Sequence, residues 1–258
     1  MAVSTMWNPF IPERVPHRLS GYIIFKMVFI HWIKKLPYTP LQIAMHGYAW
    51  SELVLIIYGL FTHHLTANPI QAMEIRTGRH AIALLVLSLA CTPLTTLLGW
   101  RELLKRRRAL GLYAIMYAVL HVIIFVDLDN GLAWSLLIQT VIQKSYILYG
   151  MAAFLLLILL AMTSFDIWKV RLGKNWKRLH QVVYFTAPIA ALHYAMDIKG
   201  DVFHLSGNIG APVAYGAVIA LLLILRLPFV RKFFVALRTR IVFLFTKMTQ
   251  HPQTDTEQ

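Results

Sequence analysis

Three histidines stand inside apolar runs, where an imidazole is costly to bury unless something binds it. Two of them, His180 and His193, lie thirteen residues apart in "WKRLHQVVYFTAPIAALHY", and the third, His121, lies in "YAVLHVIIF". An imidazole can serve as a metal ligand, a hydrogen-bond partner or a proton relay. Within lipid each of these uses requires a facing group on a neighbouring helix. The acids Asp127, Asp129, Asp166, Asp197 and Asp201 fall near the ends of apolar runs, and Glu52 is the one carboxylate well inside one. The single cysteine, Cys91, allows no disulfide within the chain, and no C-x-x-C-H motif exists, so any haem here is held non-covalently.

The elements that position these histidines follow from composition. Of 258 residues, 58% are hydrophobic and 14% charged, which is about half the charged share of soluble domains. Apolar stretches of about 20 residues recur, enough to cross a bilayer as a helix. A spanning backbone must satisfy its own hydrogen bonds, so repeated long runs imply helices. The expected fold is all-α, a polytopic membrane helical bundle of six transmembrane helices. The expected spans are 45–65, 80–99, 109–127, 145–167, 180–197 and 210–230, with an interfacial helix at 19–33. The domain reading is an N-terminal cytoplasmic and interfacial extension at 1–44, a transmembrane domain at 45–232, and a cytoplasmic C-terminal tail at 233–258, polar from about residue 248. The N-terminus does not read as a cleaved signal peptide, because Trp7, Pro9, Pro12 and Pro16 interrupt it.

Charge placement sets the expected orientation. Twenty-one of the 25 Lys and Arg residues precede the first span, fill the second-to-third and fourth-to-fifth loops, or lie from Arg226 onward; only Arg76, Arg79, Lys144 and Lys199 lie in the opposite connections. Both termini are therefore expected in the cytoplasm. The pI near 10 is largely this bias, so nucleic-acid binding is not needed to explain it. No internal repeat, P-loop or G-x-G-x-x-G stretch stands out. Only about 28 residues follow the last span, too few for a flavin or nicotinamide domain. Electrons for any redox chemistry must come from another molecule.

Depth then pairs the histidines. With the third and fifth spans both running outward, His121 lies about 18 Å above its span's start and His193 about 20 Å above His180. Two imidazoles at one level on neighbouring helices are what a bis-histidine haem requires. The reading has one geometric difficulty. Thirteen residues leave His180 and His193 about 140° apart around a straight helix. Pro188 between them is expected to kink or rewind it. His180 finds no histidine at its own level on the third span, about thirteen residues before His121, where "KRRRA" stands. Its best-placed partner is His46, near the cytoplasmic end of the first span, and His31 is a poorer one.

The segments "ANPIQAMEIRTGRHAI", "TPLTTLLG", "RRALGLYAIMYAVLHV" and "RLGKNWKRLHQVVYFTAPIAALHY" occur in an order that resembles the MsrQ (YedZ) family, within the wider group of ferric reductase-like transmembrane domains. The resemblance covers roughly residues 45–240. It implies a haem-binding subunit of a bacterial periplasmic methionine sulfoxide reductase system, holding one or two b-type haems between helices. It also implies electrons drawn from the quinone pool or a cytosolic flavin reductase and passed to a periplasmic molybdopterin enzyme, MsrP-like, and an association with FMN. His121, His180 and His193 occupy the positions of the family's haem-iron ligands, and Thr77-Gly78-Arg79 matches its T-G-R element. Arg79 would lie at the outer level, within reach of a haem propionate. The forty or so residues before the first shared span exceed the family pattern.

The expected function is a transmembrane electron-transfer cytochrome in the bacterial inner membrane, an accessory of an oxidoreductase rather than its catalytic subunit. Arg106, Arg107, Arg108, Lys174, Lys177 and Arg178 on the cytoplasmic side suit the phosphate of FMN or an acidic donor protein; the plainer reading is that they fix topology. Two competitors stand: a stand-alone haem quinone or ferric reductase, and a proton-coupled transporter using Glu52 and the histidines.

Overall fold

The computed structural model describes residues 38–197, 200–201, 206–207 and 209–249. The expected interfacial helix at 19–33, His31 and the tail beyond Thr249 lie outside the described residues. The chain divides into two units after His46. In the first, Thr39 starts helix α1, its carbonyl and Oγ1 both accepting from the Gln42 N–H. Helix α1 spans Pro40–Phe61 and carries on into the second unit.

The second unit continues with α2 (Pro69–Leu98) and α3 (Glu102–Ile123). Asn68 caps α2 by accepting from Gln71 N, Pro69 occupies the first turn, and Gly99 ends the helix at φ 73° with its N–H on Thr95 O. Such a start and stop use the residues that satisfy orphan backbone groups best. Helix α3 turns back after three residues and packs along α2. It passes directly into a π-helical segment, Ile124–Asp129. Then come α4 (Trp134–Gln143), α5 (Ser145–Met162), α6 (Asp166–Leu172) and α7 (Lys174–Leu179). A 3-10 turn at His180–Val182 leads into α8 (Val183–Asp197). A two-residue antiparallel pair, β1 (Gly200–Asp201) and β2 (Ser206–Gly207), precedes α9 (Gly210–Ile224) and α10 (Pro228–Thr249).

Helix α8 packs on α5 and α9, α3 touches α5, and α2 touches α9 and α10. Small residues lie inside the bundle: Ala49, Ala114, Ala187 and Thr186 are fully buried. Lipid tails offer no hydrophobic drive between helices, so close backbone approach at small residues supplies the packing. Val54, Phe61, Ile142, Leu155 and Phe185 point outward and are more than half exposed. Apolar surface on that scale is what a lipid-facing bundle presents. The protein is an all-α membrane bundle.

The spans differ from the sequence reading in detail. Among the described residues four helical stretches are long and apolar enough to cross a membrane: Pro40–Phe61, Pro69–Leu98, Glu102–Asp129 and Ser145–Met162. A fifth is counted if the pair Gly210–Ile224 and Pro228–Arg240, bent by 76°, forms one span. The expected fifth span, 180–197, is a 15-residue helix behind a 3-10 turn. The expected sixth, 210–230, breaks at residues 225–227 because Pro228 cannot continue the ladder and starts a new helix. Residues 134–143 form a helix that the apolar pattern did not announce.

Candidate functional site

His121 ends α3, one turn before the π segment, and His193 stands near the end of α8. Their rings meet in the bundle, centres 6.2 Å apart and planes at 74°. Each ring is pinned from behind. His121 Nδ1 lies 2.9 Å from the Glu74 carbonyl on α2, and His193 Nδ1 lies 2.8 Å from the Tyr146 carbonyl on α5. A carbonyl oxygen only accepts, so both Nδ1 atoms carry the proton and both Nε2 atoms keep the lone pair. Such a pair can bind a metal ion or other electrophile from two sides.

The azimuth problem is resolved at one end of the helix rather than in its middle. Pro188 lies inside α8, which runs unbroken from Val183 to Asp197, whereas residues 180–182 are wound as 3-10. Three residues at about 120° instead of about 100° rotate the helix by about 60°, bringing His180 and His193 to about 80° apart.

Arg79 is exposed on α2, next to Gly78, with its guanidinium carbon 6.0 Å from the centre of the Tyr194 ring. Tyr194 follows His193 and packs edge-on against Tyr215 of α9 at 5.9 Å. Its hydroxyl is buried with no partner among the described residues. A cation and an orphan hydroxyl thus stand beside the histidine pair, suited to a carboxylate.

His180 is held differently. Its Nε2, not its Nδ1, faces Thr163, 3.3 Å from Oγ1 and 3.4 Å from the carbonyl. Its ring stacks at 4.2 Å on Trp176, whose Nε1 donates to Thr163 O. It lines a cavity of about 500 Å³ with Arg107, Arg108, Lys169 and Lys177, and is the one histidine lining it among the described residues. Nearby, Lys169 donates to Asp166 at 2.7 Å and, with Arg108, holds that exposed carboxyl below its ordinary range. His46 stands on α1 in the first unit, and its candidacy rests on sequence alone.

One group seen in the sequence finds its partner in the structure, and one went unnoticed. Glu52 accepts from Arg76 Nε, so this acid inside an apolar run is charge-matched. His80 is 6% exposed, its ring 4.8 Å from Tyr48 and 4.5 Å from Tyr117, with Nε2 unpartnered among the described residues. His80 follows the T-G-R element, the one available signal for it.

Residues 77–191 match the family described as "Ferric reductase like transmembrane component". The chain is 40% identical over 159 residues to the protein-methionine-sulfoxide reductase heme-binding subunit MsrQ of Xanthomonas campestris pv. campestris, covering 62% of this chain and 70% of that protein. The same-named subunit of Rhodospirillum rubrum is 39% identical over 170 residues, covering 65% and 78%. That of Caulobacter vibrioides is 33% identical over 198 residues, covering 75% and 91%.

Proposed function

The chain belongs to the MsrQ family, and from that membership we propose that it is a haem-holding electron conduit serving a methionine sulfoxide reductase. The observation that carries this reading is the pair His121 and His193, with each Nδ1–H tied to a carbonyl. Two imidazole nitrogens each about 2 Å from one metal atom separate the ring centres by about 6–7 Å. The observed 6.2 Å therefore fits an iron between them. His121 and His193 would hold it, and Arg79 with Tyr194 would take a carboxylate side group.

When bound, a b-type haem supplies one-electron chemistry at a potential set by its axial ligands and burial. The chain's own residues do the rest. The Glu74 and Tyr146 carbonyls keep both imidazoles in the Nδ1–H tautomer, and their helices keep water away. At the other end His180, Arg107, Arg108, Lys169 and Lys177 surround a cavity of about 500 Å³. We assign it to the entry side, where His180 would hold a second haem through one protein ligand. The cations there suit the phosphate of FMN or an acidic flavin reductase, with the quinone pool as the other donor. The Lys/Arg bias supports placing this end and both termini in the cytoplasm of a bacterium, with the His121–His193 level facing the periplasm and a molybdopterin methionine sulfoxide reductase. Pairing of Glu52 with Arg76 argues against the transporter, which needs that carboxylate to titrate.

The test is a reduced-minus-oxidised visible spectrum of the purified chain, with haem counted by pyridine haemochrome after expression with ample haem supply. Sharp b-type bands at one or two haems per chain are expected. A colourless protein overturns the reading.

A further inference from the structure

The two histidines are held by matching devices. On α2 the carbonyl of Glu74 accepts from His121, and Gly78 stands four residues on; on α5 the carbonyl of Tyr146 accepts from His193, and Gly150 stands four residues on. Each second member lies 72 residues after its counterpart: 74 to 146, 78 to 150, 121 to 193. The frame repeats with it. Helix α3 begins at Glu102 and α7, which leads into α8, at Lys174, again 72 residues later.

The glycines have a physical reason. In a helix each Cβ tilts toward the N-terminus, so the side chain at one position covers the turn before it. A residue with a Cβ at 78 or 150 would therefore shield the carbonyl at 74 or 146. A Cβ built on Gly78 would lie 3.2 Å from His121 Nδ1, and one on Gly150 would lie 2.8 Å from His193 Nδ1 and Cε1. The accepting groups are backbone carbonyls, so the side chains at 74 and 146 are free to differ, and do.

We infer that α2–α3 and α5–α8 are two copies of one histidine-holding hairpin, in which a glycine and the carbonyl four residues before it set the tautomer and position of the imidazole on the partner helix. Gly78 and Gly150 are thus positioning residues for the two ligands, a statement that rests on the haem reading above. The copies differ in tightness. A methyl group at Gly150 requires His193 to shift, whereas one at Gly78 asks His121 to give by only a few tenths of an ångström.

The test compares Gly78→Ala and Gly150→Ala in the full chain, purified with haem. Gly47→Ala and Gly216→Ala serve as controls, since a Cβ at either meets nothing within 4 Å. Readouts are haem per chain, haem retention and the low-spin electron paramagnetic resonance signal. Alanine is the better helix former, so any loss runs against propensity. Gly150→Ala is expected to lose the bis-imidazole low-spin signal and to weaken haem retention about 10-fold or more. Gly78→Ala is expected to stay low-spin with shifted g values, and the controls to match wild type. A haem-loaded wild type with an unchanged signal in Gly150→Ala overturns this inference and leaves the haem reading standing. A wild type without haem overturns both. Should Gly150→Ala fail to accumulate, Gly78→Ala decides: shifted g values support the hairpin, and unshifted ones overturn it.

Discussion

Among the described residues Tyr117 is the largest fully buried side chain, and it lies one turn before His121 on α3. Its hydroxyl donates to Ala49 O at 2.7 Å and accepts from Leu53 N at 3.1 Å, tying α3 to α1. Tyr117→Phe removes both bonds and keeps the ring against His80. Two hydrogen bonds at about 1 kcal/mol each suggest a cost of about 2 kcal/mol. The two backbone partners, however, stand four residues apart on α1 and can pair with each other once the hydroxyl is gone, and interhelical bonds in membranes average about 0.6 kcal/mol. The expected cost is therefore about 1 kcal/mol. Tyr117→Ala also empties the ring's volume, and large-to-alanine changes in a packed core cost about 3–5 kcal/mol. Equilibrium unfolding in mixed micelles of mild and denaturing detergent measures both. The Phe variant should keep the wild-type visible spectrum, since the ring under His121's turn remains. A loss of about 3 kcal/mol or more in Tyr117→Phe would refute the argument that packing, rather than the hydroxyl, holds this crossing.

His121→Ala and His193→Ala should each remove the low-spin signal of the haem between them while sparing any haem held at His180; unchanged spectra in both would refute the pair, and recovery with added imidazole would support it. Arg226 donates from Nη1 to Tyr184 Oη at 2.7 Å and from Nη2 to Leu89 O, bracing α2 and α8 at the break after α9. Arg226→Gln should cost about 1–3 kcal/mol in the same unfolding assay, and a neutral result would show the brace to be idle. Glu52→Gln leaves the Arg76 cation without its charged partner at a partly buried site, so a loss of about 1–3 kcal/mol is expected. Haem content should not change, and a colour change on this substitution would place Glu52 in the cofactor's surroundings.

Sequence carried the helices and the pairing level well, because both depend on quantities that residue types encode. Length and hydropathy located α2 and α5, and counting residues brought His121 and His193 to one depth before their rings were seen to meet. What escaped depends on backbone. The 3-10 turn at residues 180–182 has no residue signature strong enough to displace Pro188 as the expected site of rewinding. The break at residues 225–227 hides in an apolar run interrupted only by Arg226 until Pro228 is given its due. The repeat at 72 residues is invisible to sequence comparison because its shared chemistry is two carbonyls, which every residue has, and two glycines among the thirteen in the chain. Glu52 read as an isolated acid because its partner is 24 residues away, on another helix.

The π-helical stretch from Ile124 to Asp129 bears on how the chain can change length over generations. A π turn accommodates one more residue than the α-helix around it, and such turns arise by single insertions. Here the surplus begins three residues beyond His121. A residue lost from this stretch would rewind it to ordinary α-helix and be absorbed downstream, with the imidazole and its glycine left in place. A residue lost between Glu74 and Gly78 would instead turn the helix by about 100° and part the carbonyl from the glycine that uncovers it. The connection after α3 is free to drift in length, while the short interval on α2 is locked to a count of four.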